Sequence, residues 1–434
     1  MLPDAIVPLE RSPSAAVGTA SHRRAVRAVV IGNALEWYEF GIYSLLAVYA
    51  GRAFFPEASE LTALLAAWAS FGVAYLVRPI GGTLLAHLGD VWGRRPALLV
   101  SVTLMGIATG LTGLVPAYAT IGLIAPAIVV MLRLIQGAAA GGEMALAIVY
   151  LRETAAPGRA GRTVRWLAVS TYGASVLGGG MVAALAWLLG PDAMYDWGWR
   201  IPLLLALPLL VVVLWMRARA PETPEFRAMG GGHQGIATAI RQNVPGLVTM
   251  VSVGMVYNVT AGALLGGYLT HLHLARLSDA PAHLVSTLGI ATVVATCLVS
   301  GAAIDRLGRR RVLRAGAGLL AVVAFPAFAL GSSGNLLLSL AGAVMLGVAA
   351  GAIVTPAYLN VAEFFPVQSR AGLGALGYNC ATVVGGLTPA GVLLLRQETG
   401  ITWGFPVVLT ATAIIAIVVS SLSMTDSPVS EADE

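Results

Sequence analysis

The chain contains no lysine: all 26 basic residues among its 434 are arginine. Charged residues of both signs make up only 11% of it, and it has just 6 histidines and 2 cysteines. So little charge excludes an ordinary soluble domain, whose surface needs a shell of roughly 25–35% charged residues. Cys297 and Cys380 both fall inside apolar runs, so no disulfide framework is implied and the redox compartment stays open. No His/Cys/Asp grouping has metal-ligand spacing and no Gly-x-Ser-x-Gly element occurs, which argues against a membrane enzyme. The net charge of +5 is no nucleic-acid footprint either, because its arginines are spread over the ends of apolar runs.

What the chain does have is apolar sequence, 57% of its residues, with 51 glycines. Twelve apolar runs alternate with short polar breaks, at roughly 24–50, 60–87, 96–115, 121–151, 164–190, 200–217, 244–271, 282–304, 312–331, 335–362, 372–396 and 402–424. Each is long enough to cross ~30 Å of hydrocarbon as a helix rising 1.5 Å per residue. The runs are continuous rather than alternating, which excludes a β-barrel. The expected fold is an all-α membrane protein of twelve transmembrane helices. The first run follows Arg23, Arg24 and Arg27 without a small-residue cleavage site, so it reads as an uncleaved helix rather than a signal peptide. Only Arg52, Arg200, Arg276 and Arg396 fall at the odd-to-even breaks, Arg78 and Arg133 lie inside runs, and twenty sit on the other side. The positive-inside rule then makes both termini cytoplasmic.

The longest polar break splits the chain into two sixes. The expected organisation is a disordered cytoplasmic N-terminus over 1–21, helical bundles over 22–217 and 244–424, a central cytoplasmic loop over 218–243 and a tail over 425–434. An internal repeat supports the split. Asp90, Gly93, Arg94 and Arg95 after run 2 recur as Asp305, Gly308, Arg309 and Arg310 after run 8. Glu153 and Arg159-Ala160-Gly161 recur as Glu363 and Arg370-Ala371-Gly372, and Gly137 and Gly141 as Gly347 and Gly351. In the loop motif glycine reverses the chain while its arginines pair with carboxylates such as Glu153 or Glu363 and with helix C-terminal carbonyls. The rival reading of each arginine is a topology marker; the duplication favours a latch.

These residues resemble the major facilitator superfamily and, within it, the metabolite:proton symporter family of bacterial inner membranes, over about residues 25–425. The resemblance rests on Gly32-Asn33-Ala34-Leu35-Glu36-Trp37-Tyr38-Glu39-Phe40, Val77-Arg78-Pro79-Ile80-Gly81-Gly82, Arg133-Leu134-Ile135-Gln136-Gly137 with Gly141-Gly142-Glu143, and Trp197-Gly198-Trp199-Arg200-Ile201-Pro202. Glu363-Phe364-Phe365-Pro366, Arg370 and Gly377-Tyr378-Asn379 fit the same pattern. The chain departs from it in carrying Glu39 where aspartate is usual, and Met144-Ala145-Leu146 where Tyr-Gly-rich sequence is usual. The resemblance implies a multi-pass inner-membrane carrier, working by alternating access as a monomer, with no cofactor. A proton would be the coupling ion, with sodium the open alternative, and the cargo a small organic carboxylate such as a di- or tricarboxylate. Zwitterions such as proline and betaine are the alternative cargo. A proton-antiport exporter is argued against by run 5, where Gly173 to Gly180 lacks the Gly-Pro pair of such antiporters. A transporter-like sensor would need an appended signalling domain, and a channel would need rings of charge.

Charges inside a span cost roughly 2.5–3.5 kcal/mol each, so each needs a reason. Five stand out, all in the first half: Glu36, Glu39, Arg78, Arg133 and Glu143. Glu39 and Arg133 each lie ~18 Å along their helices, near the bilayer midplane. Asn33, Glu36, Phe40 and Tyr43 make one stripe; Arg133, Gln136, Ala140 and Glu143 make another. Proton coupling is expected from Glu39, Arg133 and Glu36, the rival being a fixed salt bridge. Substrate contacts are expected from Asn33, Tyr43, Arg78, Arg133, Gln136, Glu143, Tyr257, Asn258, Tyr378 and Asn379, with Arg78 as readily a structural ion-pair site joining spans 2 and 4.

Overall fold

The computed structural model describes residues 19–54, 74–228 and 235–423, all helices and short turns. Twelve principal helices follow in order: α1 (Thr19–Phe54), α2 (74–91), α3 (Arg94–Leu114), α4 (Ile124–Thr154), α5 (Ala160–Gly190), α6 (Met194–Ala218), α7 (Val244–Leu274), α8 (Asp279–Leu307), α9 (Arg309–Gly331), α10 (Leu336–Glu363), α11 (Arg370–Thr399) and α12 (Gly404–Ser423). Ten of them, α3 to α12, are long and apolar enough to cross a membrane. Their outer faces carry large apolar side chains, among them Leu114, Met131, Trp187, Val211, Val322 and Leu422. In water so much exposed apolar surface would aggregate; against lipid it is the required coat. α1 begins at Thr19, inside the stretch expected to be disordered, and the 425–434 tail lies outside the described residues. The central break holds two short helices, Pro224–Ala228 and Ile236–Gln242.

Helices pack by halves. In the first half α1 lies against α5, and α3 against α4 and α6; in the second α8 and α9 lie against α10, α9 against α12, and α7 against α11. The halves meet along two seams, α5 with α8 and α11 with α2, and these are one pairing with the halves exchanged. Small residues let the helices approach closely. A Cβ on Gly137 would come 2.2 Å from the Ala74 carbonyl oxygen, and one on the equivalent Gly347 would come 2.6 Å from that of Gly289. The repeated glycines are therefore places where helix touches helix, α4 on α2 and α10 on α8. α2 carries a π turn over Arg78–Gly82, where Pro79 supplies no N–H to the ladder.

Candidate functional site

At the arginine-rich end the two loop motifs turn on Gly93 (φ 110°) and Gly308 (φ 85°), backbone that L side chains rarely adopt. Each places its aspartate on the N-terminus of a helix in the other half. Asp90 accepts from the backbone N–H groups of Ala371 (3.1 Å) and Gly372 (2.9 Å), the first residues of α11 after Arg370. Asp305 accepts from Gly161 (2.7 Å) and Arg162 (3.1 Å) at the start of α5. Both carboxylates thus satisfy orphan helix N–H groups at the positive end of the dipole.

The arginines build outward from these caps. Arg94, fully buried, pairs with Asp90 and with Glu153 (3.2 Å) and donates to the carbonyls of Gly89 (2.7 Å) and Val367 (3.0 Å). Arg370 reaches Glu153 (3.2 Å) and Glu225 (2.5 Å). Glu363 receives Arg152 and Arg309, each at 2.8 Å. Arg310 donates to the Ser421 carbonyl at 2.8 Å, and Arg95 to that of Ala218. The pairings that cross between halves, Arg152–Glu363, Arg370–Glu153 and Arg162–Asp305, lie at this end. Here the two halves are fastened together. Sequence reasoning missed the segment after α6: Glu222 accepts from the Arg94 and Arg95 N–H groups (3.1 Å each), Thr223 donates to Glu153 (2.7 Å), and Glu225 receives Arg370. The signal was available in two carboxylates three residues apart, facing a loop rich in buried arginine.

Deeper in, the polar side chains sort into two kinds. Some tie helices together. Asn33 donates from Nδ2 to Ser170 Oγ (2.8 Å) and Thr171 Oγ1 (3.0 Å) on α5, and Gln136 donates to Thr109 Oγ1 on α3. Glu143 pairs with Arg217 on α6, and Arg217 also donates to the Leu98 carbonyl (3.0 Å). Arg78 on α2 was expected as readily to be an ion-pair site joining spans 2 and 4 as a cargo contact; the guanidinium that reaches Glu143 on α4 comes from α6. Gly32 makes this route open, since a Cβ there would come 2.0 Å from an Arg217 nitrogen.

Others converge between the halves. Glu36, Arg78 and Arg133, 3%, 2% and 1% exposed, are buried in the first half besides the Glu143–Arg217 pair and the loop-motif groups. The Arg78 guanidinium sits 4.8 Å from the Tyr75 ring centre, and Tyr75 meets α11 of the other half, where a Cβ on Gly386 would come 3.3 Å from its ring. Asn379 donates to the Gly141 carbonyl (2.9 Å) across the halves, at a place where a Cβ on Gly82 would come 2.6 Å from Gly141. Behind Tyr378, the Tyr257 and Tyr358 hydroxyls bond at 2.8 Å, with ring centres 5.2 Å apart, and Tyr257 stacks on Tyr378 at 6.3 Å. Asn258 accepts from Thr382 at 3.1 Å. The side chains of Glu39 and Tyr43 lie outside the described residues.

Two helical halves joined by swapped, capped seams around a polar centre define a secondary carrier. The profile of the Major Facilitator Superfamily matches residues 29–389 and again 246–434. The chain is 33% identical over 384 residues, 85% of its length and 76% of the relative's, to the proline/betaine transporter of Escherichia coli K12. It is 35% identical over 398 residues, 90% and 89% of the two lengths, to the citrate-proton symporter of Klebsiella pneumoniae. Among solved structures, a proton:xylose symporter superposes with a TM-score of 0.74 at 16% identity, covering 93% of this chain and 95% of the other. The chain belongs to the major facilitator superfamily, on its metabolite:proton symporter branch, and is a multi-pass membrane transporter rather than an enzyme.

Proposed function

We propose that this protein imports a small carboxylate-bearing metabolite by proton symport through alternating access. The observation that carries the reading is the burial of Glu36, Arg78 and Arg133 in one half, with Arg78 held against Tyr75 on the face that meets α11 of the other. A planar guanidinium fork in a water-poor centre selects carboxylate over neutral solute. A carboxylate beside it exchanges its proton when rocking of the halves changes its burial and its distance to that charge. Arg133, and Glu39 on the same helix as Glu36, belong to this coupling set; Arg78, Tyr257, Asn258, Tyr378 and Asn379 belong to the cargo contacts. With the arginine-rich end facing the cytoplasm of a bacterial inner membrane, the fastened seams close the inner gate, and both termini are cytoplasmic. A single chain carries the whole pathway.

For the cargo, a di- or tricarboxylate fits an arginine-lined centre and the relative named for citrate. The zwitterion reading is favoured by a different observation: the Tyr257–Tyr358–Tyr378 cluster offers aromatic faces to an ammonium group, and another relative is named for proline and betaine. Uptake of labelled citrate, 2-oxoglutarate, proline and glycine betaine into proteoliposomes separates the two. Accumulation of one class, driven by an inward proton gradient and abolished by a protonophore, is the expected result. Accumulation indifferent to the gradient, or of neither class, overturns the proposal.

A further inference from the structure

A groove of about 580 Å³ opens at the arginine-rich end between α1 and α5, away from the polar centre. Its lining is of two chemical kinds. Arg27, Arg159, Arg162 and Arg165 bring four guanidinium groups to it, while Val26, Val30, Ile31 and Trp166 give it apolar surface. The volume lies within the range of small-molecule sites, roughly 300–1,000 Å³. Four guanidinium groups around one opening repel each other unless an anion joins them. The protein supplies little of it: Asp305 on α8 lies 3.9 Å from Arg162, half of whose reach is already in solvent, and it is committed to the α5 N–H groups. Arg27, Arg159 and Arg165 have no carboxylate within 4 Å among the described residues. Arg165 is held in place by a 2.5 Å bond to the Leu298 carbonyl and by its stack 5.5 Å from the Trp166 ring, yet its Nε is buried without a partner. A pre-positioned guanidinium with an unused donor is what an anionic oxygen would complete.

We propose that this groove binds an anionic phospholipid, its phosphate on the arginine ring and its acyl chain along Val26, Val30 and Ile31. The occupant is a lipid because of where the groove stands. α5 is long and apolar enough to cross the membrane, Arg159 stands just before its first residue, Arg162 follows in the first turn, and Arg165 and Trp166 come about 10 Å further in, so the arginines run from headgroup level to the interface where the tryptophan sits. Basic pockets between spans at the arginine-rich side take such headgroups by charge and shape together. A free phosphate would satisfy the arginines but leave the apolar wall in contact with nothing.

The test uses the full chain in detergent, titrated with phosphatidylglycerol or with phosphatidylcholine of the same acyl chains and read by native mass spectrometry. The parent retains phosphatidylglycerol and not phosphatidylcholine. Arg27→Gln/Arg159→Gln weakens retention about twenty-five-fold, the product of about five-fold per arginine. Arg311→Gln/Arg314→Gln, on α9, removes as much charge and leaves retention unchanged. Arg27→Lys/Arg159→Lys keeps it within a few-fold, which separates loss of the site from loss of the fold. Equal retention of the two lipids, equal loss in the α9 variant, or full displacement by millimolar inorganic phosphate would each overturn the proposal.

Discussion

At the residue scale a costly commitment away from the loop motifs is the Glu143–Arg217 pair, 1% and 2% exposed. Removing one partner of such a pair costs about 3–5 kcal/mol, because the other charge is left buried and alone. Glu143→Gln should therefore lower the thermal midpoint in detergent sharply, and Glu143→Gln/Arg217→Met should recover most of the loss. A double variant no more stable than the single would show that the two are not coupled. Glu143 was legible in the sequence as an acid inside a span, but its partner was not. Arg217 sits at the end of α6 among arginines that mark topology, and only the absence of a side chain at Gly32 lets it reach inward. The same limit applies to Asn33 and Gln136: a polar stripe tells that a face meets protein, not whether the partner is cargo or Ser170 and Thr109. Arg133 offers a separate test at this scale. A bidentate role predicts that Arg133→Lys fails nearly as badly as Arg133→Ala in uptake, and a lysine variant with parental affinity would leave Arg133 a point charge.

At the scale of elements, the spans were readable because each is a continuous apolar run and the loop motif is written twice. What the repeat could not show is that each motif serves the opposite half, Asp90 capping α11 and Asp305 capping α5. Sequence order places Asp90 beside α3; only the packed seams bring it to a helix that begins 280 residues later. The two caps are also unequal, since Asp90 is fully buried and paired with Arg94 while Asp305 faces a half-exposed Arg162. Asp90→Asn keeps the shape but removes the charge from two N–H bonds and one guanidinium, so it should slow transport more than Asp305→Asn does. Initial uptake rates at saturating substrate measure this, and a larger effect at Asp305 would reverse the assigned order.

For the whole molecule the question is whether these fastenings hold one state of an alternating carrier. A latch and a topology signal both require arginine at this end; only the latch requires Asp90, because acidic residues contribute little to membrane orientation. Asn360 reports on the difference. It lies late in α10, on the same side of the centre as the latch, fully buried, with neither its Nδ2 nor its Oδ1 bonded among the described residues. In a background lacking Cys297 and Cys380, Asn360→Cys should react slowly with a membrane-permeant thiol reagent while the seams are closed. Adding Asp90→Asn removes the charge that caps α11 and shifts the population toward the state open at this end, so the thiol should react several-fold faster. The cargo affinity of the centre should change little, since no centre residue is touched. Unchanged reactivity together with parental transport would leave the loop a topology signal, and the force closing this end would then lie in the Arg152–Glu363, Arg370–Glu153 and Arg162–Asp305 pairs.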